Sequence, residues 1–563
     1  VKPPRVFLPA VASGLLLWVA FFPLNLGPVA FVALAPWLTL VRAPVSRRRR
    51  YFAAYLGSVA FFLPAVQWMR VAHPAMYASW LGLALIMCPM YWVVGFALLR
   101  RLDRVPGVPL AASFPVVWVA LEYVRAHAPT GFDFLPAAVH QKVGVGWYFL
   151  GYSQHDFLPL IQLADLGGVY AVSAVVAAVN GVAAEWLMSG RLPLGRGASP
   201  VGPEALTGLA PRPNEPTGLR KLIASTLGTA VVFAAAVGYG LVRLNHPAFE
   251  NGPVVAAVQG SVPQFQKNTD GRSLGQVYAA LHLRAALANP TPDLILWPET
   301  CFPAEWLAAT GPPPADFAAQ IAACRAYFAR EQWRVPVLLG LGCTEYDAGD
   351  LWKYNSALLL TAAGQEVGRY DKIHLVPFGE YVPFRGTFPW LQAFTPYEGD
   401  YSCRPGQRWT RFPVTGADGR RFTFGCLICY EDSDPSLARR YALPAGDEPA
   451  VNFLVNLSND GWFDGTEEHE LHLAVCRFRA VECRRSVVRA VNMGISAVID
   501  PDGRVVTALP KQVEGVVSAA VPIDGRESLY ARLGDWLPGA CWAAILVGVV
   551  VGRRRPPGAS APR

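Results

Sequence analysis

Three short segments each end a strand-like apolar run in residues able to do chemistry. LILWPET brings Glu299, YDKIHLVPFGEYVPF brings Lys372 and Glu380, and FGCLICYED brings Cys429, Tyr430 and Glu431. A cysteine becomes a nucleophile when its thiol is deprotonated during attack. A carboxylate such as Glu299 can take that proton and later return it to a leaving group. A lysine such as Lys372 can stabilise both the thiolate and the negative oxygen of a tetrahedral intermediate. Together the three side chains would form and break a thioester. Taken singly, they also fit a plainer reading: Cys429 as a small buried hydrophobe, Glu299 as a cap and Lys372 as a surface residue.

The elements that must position these residues lie within 250–525, which reads like a soluble protein. VVAAVQG from 254, DLILWPET, VPVLLGLG (335–342), NSALLLT and VVRAVNMGISAVID are strand candidates. Residues 271–288, 315–332 and 467–485 have helical character. Strands alternating with helices indicate an α/β fold. NSALLLTAAGQEVGRYDK and GISAVIDPDGRVV read as hairpins, so mixed sheets are expected rather than a simple doubly wound sheet. No GxGxxG or GxxxxGK motif stands at a strand–helix junction, so nucleotide chemistry has no support.

The rest of the chain is apolar. Hydrophobic residues make up 53% of the 563 and charged residues 16%. Apolar segments fall at 8–23, 25–41, 52–69, 76–99, 108–125, 165–187, 222–244 and 536–552, mostly in residues 1–245. Each is close to the roughly 20 residues that cross a bilayer as helix. FFPLNLGP at 21–28 predicts a turn between two short spans, with one kinked or re-entrant element as the alternative. The +8 net charge is concentrated at segment ends: Arg47 to Arg50, Arg100, Arg101 and Arg104, and Arg553 to Arg555. Placing Arg47 to Arg50 inside and alternating the spans puts Lys2, Arg5, the 188–221 stretch and Arg553 to Arg555 inside as well. The whole pattern agrees with the positive-inside tendency, leaves 245–535 outside and makes both termini cytoplasmic. Such clusters indicate topology, not nucleic-acid binding. The aromatic stretch 126–160, with GFDFLPAAV and GWYFLGYSQ, is expected at the outer interface, and the Gly/Pro-rich 192–218 as a flexible cytoplasmic loop. The expected domains are therefore 1–245 (seven spans), 250–525 (catalytic) and 530–563 (a last span and basic tail). No cleavable signal peptide is expected, since one apolar segment follows another at once.

The ten cysteines are not spaced like a disulfide scaffold, and Cys426/Cys429 is a lone CxxC without a second pair. His469 and His472, three apart among Glu467, Glu468 and Glu470, are expected on a solvated helix surface rather than around a metal.

The motifs resemble those of the nitrilase superfamily, and their setting in a multispan chain resembles the apolipoprotein N-acyltransferase family. VQG (258–260), WPET (297–300), YNSALLL (354–360), YDKIHLVPFGEYVPF (370–384), ICYED (428–432), NLSNDGWF (456–463), HLAVCRFRAVECRRSVVRAVNMGISAVIDPDG (472–503) and GYSQ (151–154) carry the likeness. It implies an αββα nitrilase-like domain outside the membrane. It also implies Cys429 as nucleophile, Glu299 as general base and Lys372 as catalytic lysine. Glu380, Tyr430 and Glu431 would support them, and Asn355 and Trp462 would shape the pocket. Phe388, Trp390 and Phe394, in the aromatic 383–405 loop, would line a lipid entrance. The implied reaction moves an acyl chain from a membrane phospholipid to the N-terminal amine of an S-diacylglyceryl-cysteine apolipoprotein, through a thioester on Cys429. It takes place at the bacterial inner membrane with no cofactor or metal, and nothing demands more than a monomer. Ser261, Leu471 and GFDF at 131–134 depart from the family pattern and bear on acyl-chain, phospholipid or acceptor preference.

Two other readings use the same residues. A membrane-anchored amidase would employ water as acceptor, although a soluble substrate would need only one anchor. A non-enzymatic lipoprotein-binding or transport protein would be expected to have lost one of the three catalytic types, and none is lost. For transport, Glu122 and Arg125 are the only modest polar candidates within a span.

Overall fold

The computed structural model describes residues 6–129, 144–190, 216–331, 333–395 and 401–553. The GFDF departure, the 192–218 loop apart from its last residues, and the terminal basic residues Lys2, Arg5, Arg554 and Arg555 lie outside these.

All eight apolar segments fold as helix. α1 (Phe7–Val19) ends before a turn in which Asn25 takes a left-handed φ of 52°. Gly27–Val41 then packs back along α1 as short helical pieces, with Pro28 and Pro36 in the first turns of two of them and a break at Leu34. The FFPLNLGP turn is thus present. α2 (Arg47–Ala65) crosses α1 so closely that a Cβ on Gly14 would lie 2.1 Å from the Gly57 carbonyl oxygen. Glycine is what allows that approach. α3 (Met76–Leu102), α4 (Leu110–His127), α5 (Val169–Ser189) and α6 (Pro216–Leu244) complete this half. Three helical stretches, Met76–Leu102, Val169–Ser189 and Gly218–Leu244, are long and apolar enough to cross a membrane. The polar pair in α4 is used structurally. Glu122 accepts from the Trp118 ring and the Leu150 N–H, and Arg125 donates to the carbonyls of Val145, Trp147 and Tyr148. These bonds pin the GWYFLGYSQ stretch, which is buried rather than lying along a surface.

The second half contains two mixed sheets. The first holds β1 (Glu250–Gln259), β2 (Leu294–Leu296), β3 (Trp306–Thr310), β4 (Val337–Asp347), β5 (Asp350–Leu360), β6 (Glu366–Asp371) and β13 (Gly515–Ile523). The second holds β7 (Arg411–Thr415), β8 (Arg421–Ile428), β9 (Phe453–Asn459), β10 (Ser486–Asn492), β11 (Ser496–Ile499) and β12 (Val505–Leu509). β1–β2–β4 and β8–β9–β10 are parallel, while β5–β6 and β11–β12 are the expected antiparallel hairpins. Alternate residues explain the layers. Val255, Ala257, Leu294 and Leu296 face Cys426, Ile428, Val455 and Leu457 between the sheets. Ala256, Val258 and Ile295 face outward, onto α7 (Gly271–Ala286) and Phe328 of α8 (Ala315–Arg330). With both faces covered, the strands read as continuous apolar runs.

α9 (Pro435–Tyr441) and α10 (Glu468–Cys483) cover the second sheet, completing an αββα sandwich. α10 is buried along nearly its whole surface, with Glu470 and Leu473 half-buried. Cys476, Ala480 and Cys483 face the sandwich, whereas Leu471, Val475, Phe478 and Val481 enter the core of the transmembrane-type half. This overturns the expected solvated surface: His469 and His472 are 0% and 1% exposed. The departure at Leu471 falls within that joint. Just beyond α10, Arg484 is fully buried and pairs with Asp165 at 2.5 Å and Asp502 at 3.1 Å. Glu482 accepts the N–H of Val169, the first residue of α5, at 2.7 Å. An acid there satisfies an orphan donor and suits the helix dipole. After β13, α11 (Trp536–Arg553) returns to pack on α4.

Candidate active site

Glu299, Lys372 and Cys429 each stand just past the C-terminal end of a strand (β2, β6 and β8), where open α/β sheets place their ligands. Lys372 is 1% exposed. Its Nζ lies 3.1 Å from Glu299 Oε1 and 3.0 Å from Glu380 Oε2. Asn355 Nδ2 donates to both Glu299 Oε1 and Glu380 Oε1 at 2.7 Å. The Asn459 N–H donates to Glu299 Oε2 at 3.1 Å, and the Val376 N–H to Glu380 Oε2 at 2.7 Å. One ammonium is thus shared by two oriented carboxylates. Burial opposes its charge, but Glu299 and Glu380 outweigh that and hold Lys372 well above the usual lysine range.

Cys429 opens a single-turn helix, Cys429–Ser433, and has a left-handed φ of 52°. That conformation is rare outside glycine and marks a sharp strand-to-helix turn. Burial pushes its thiol up and Glu299 adds to this, while Lys372 and His472 act in the opposite direction. Asn456 Nδ2 donates to the Cys429 carbonyl at 3.2 Å and supports the turn.

Glu431 ties the turn to the lysine segment. Its oxygens accept from the N–H groups of Ile428 (2.7 Å), Ile373 (2.7 Å) and His374 (3.1 Å), and from the Tyr370 hydroxyl (2.8 Å). It therefore supports Lys372 through the backbone beside it. Tyr430 points into the other half of the molecule and donates to the Gly144 carbonyl at 2.9 Å. Trp462 lines a polar cleft with Gln264, Lys267, Asn268, Thr300 and Asn459, next to Glu299. Phe388 and Trp390 are 47% and 63% exposed, on and beside the short helix Pro389–Phe394, which leans on the start of α3. Phe394 is the last residue of that helix.

Sequence reasoning missed three contributors. Lys267 donates to the Glu299 carbonyl and to Thr300 Oγ1. Asn459 acts through its backbone N–H. Behind Cys429, His472 is enclosed by carboxylates; only the density of Asp, His and Arg in apolar surroundings hinted at that cluster. The ligating atoms of Asp460, Glu468 and His472 lie within 4.8 Å of one another. The Arg489 guanidinium shares that space, 3.5 Å from Asp460, so an ion-pair cluster accounts for these residues without a metal. All ten cysteines are free, and Cys426 packs between the sheets, away from any role with Cys429 as a CxxC pair.

Residues 13–182 match the family described as apolipoprotein N-acyltransferase N-terminal domain, and 254–530 match carbon-nitrogen hydrolase. A relative from Geobacter metallireducens, named apolipoprotein N-acyltransferase, is 31% identical over 98% of this chain and 96% of its own length. Relatives with the same name from Azotobacter vinelandii (30% identical, 97% of this chain and 95% of theirs) and Rhodopirellula baltica (28%, 96% and 95%) align as fully.

Proposed function

The chain belongs to the apolipoprotein N-acyltransferase family and is an acyltransferase, and on that premise we propose a ping-pong transfer through Cys429. The donor is a membrane phospholipid and the acceptor the N-terminal amine of an S-diacylglyceryl-cysteine apolipoprotein. The supporting observation is the Lys372 ammonium held between Glu299 and Glu380 and tied through Glu431 to the Cys429 turn.

Glu299 takes the thiol proton as sulfur attacks the ester carbonyl. Lys372 stabilises the oxyanion that forms. Collapse breaks the C–O bond, Glu299 returns the proton to the departing glycerol oxygen, and lysophospholipid leaves a thioester behind. The acceptor amine then attacks the thioester and passes its proton to Glu299. Amide formation expels the Cys429 thiolate, which recovers that proton. Glu380 and Asn355 keep Lys372 and Glu299 in place. Trp462 borders the substrate cleft, and Phe388, Trp390 and Phe394 form the lipid entrance.

The placement we propose is a monomer in the inner membrane with eight spans, 245–535 outside and both termini cytoplasmic. Its units are 1–245, 250–525 and 530–563. The charge clusters and the apolar helices support this arrangement. Both substrates are lipid-tethered, so a site beside the bilayer gains effective concentration.

The test is acylation of a diacylglyceryl-cysteine peptide in detergent with phospholipid. The parent protein should add one acyl chain and release lysophospholipid, and Cys429→Ala should do neither. Release of free fatty acid alone would instead support a hydrolase.

A further inference from the structure

Behind the Cys429 turn lies a buried cluster of charge that this scheme does not use. Asp432 follows Cys429 in the same helical turn and is 0% exposed. His472 Nε2 lies 2.9 Å from Asp432 Oδ1, while its Nδ1 lies 3.2 Å from Asp460 Oδ1 and 3.3 Å from Glu468 Oε1. A neutral imidazole has a single N–H, so it could donate toward only one of these sides. Carboxylates at both nitrogens call for the doubly protonated ring. Arg489 Nη1 donates to Asp432 Oδ2 at 3.2 Å, and its Nη2 lies 3.5 Å from Asp460 Oδ2. Asp432, His472, Asp460 and Arg489 thus close a ring of alternating sign.

We propose that His472 is a positioning residue for Cys429: a fixed imidazolium that holds Asp432, and so the nucleophile turn, and acts as a second cation beside Lys372. The inference rests on Cys429 being the nucleophile. Lys372 alone is a poor counter-charge for a forming thiolate, because two carboxylates already share it. The groups facing His472 are Asp432, Asp460, Glu468 and His469 on its own helix, Cys476, Arg489 and the ring of Trp147. Burial, with Asp460 adding to it, pushes the Glu468 carboxyl up. Within the ring itself the two carboxylates of Asp432 and Asp460 are matched by the two cations of His472 and Arg489. Removing the His472 charge leaves a net negative cluster behind the thiol, whereas removing Asp460 leaves a net positive one.

The measurement is alkylation of Cys429 by iodoacetamide in the full-length protein in detergent, followed on the Cys429 peptide by mass spectrometry across neutral to alkaline pH. His472→Gln should move the profile to higher pH and slow alkylation about tenfold at neutral pH, the effect of one pKa unit. Asp460→Asn should move it to lower pH, since the ring keeps its Asp432 partner. The double variant should return close to the parent. An unchanged profile in folded His472→Gln, or slowing in both single variants, would reduce His472 to packing and overturn the proposal. If His472→Gln does not fold, Asp460→Asn decides alone: a downward shift supports the proposal, and no shift or an upward one refutes it. Alkylation needs no turnover, so a failure here is distinct from retained acyl transfer in Cys429→Ala, which would remove the nucleophile assignment itself.

Discussion

At the Cys429 turn the thiol sits above the ordinary cysteine range, because burial and Glu299 outweigh Lys372 and His472. It is therefore protonated across the neutral range, and its proton must leave during attack. In the proposed transfer Glu299 accepts that proton, and Glu299→Gln removes the acceptor. We expect transfer to fall about 100-fold to 10,000-fold near neutrality, the usual worth of a general base. What remains depends on spontaneous thiolate, whose fraction grows about tenfold per pH unit below the thiol pKa. The residual rate of the variant should therefore climb log-linearly with pH while the parent profile stays flatter. Initial-rate profiles of the two proteins check this. Glu299, Lys372 and Cys429 were legible because each follows a strand-like run, and strands running the same way bring such ends together, while Glu380 was legible only from the motif it shares with Lys372. Asn459 was not, since it contributes a backbone N–H that any residue but proline could supply. His472 was misread because a stretch as rich in Glu and His as EEHELH looks solvated until the elements that enclose it are known.

Among the elements, α10 carries most of the coupling between the two halves. Its apolar residues face both ways, and the Arg484 that follows it is pinned to Asp165 and Asp502. Breaking a buried pair leaves an uncompensated charge and costs about 3–5 kcal/mol. Arg243 and Arg526 still reach Asp165 and Asp502 in Arg484→Ala, so the lower end of that range is expected. Thermal unfolding in detergent should register the loss, whereas a change at exposed Arg272 on α7 should not. The hairpins β5–β6 and β11–β12 were legible from local turn chemistry. Strands β3, β7 and β13 were not, because short runs such as WLAAT and RFPVT gain their strand character from neighbours distant in the chain. The burial of α10 was likewise hidden, since its second partner is the helical half.

For the whole molecule, the arrangement places the proposed nucleophile, Cys429, beside a half that contains helices long and apolar enough to cross a bilayer. Three helices meet the length and composition of a span outright, and in the proposed topology the charge pattern orders the rest. The proposed topology predicts that Asp350→Cys, in the exposed β4–β5 turn, reacts with an impermeant maleimide in intact spheroplasts. A cysteine at Arg48 should react only after permeabilisation, with the parent protein setting the background. The central claim is that Cys429 carries the acyl group between donor and acceptor. Its most direct test is the intact mass of the protein after incubation with phospholipid and no acceptor. We predict a gain of one acyl chain, located on Cys429, cleaved by hydroxylamine and discharged by a diacylglyceryl-cysteine peptide. An active preparation that never gains this mass, or gains it on another residue, would contradict the thioester mechanism.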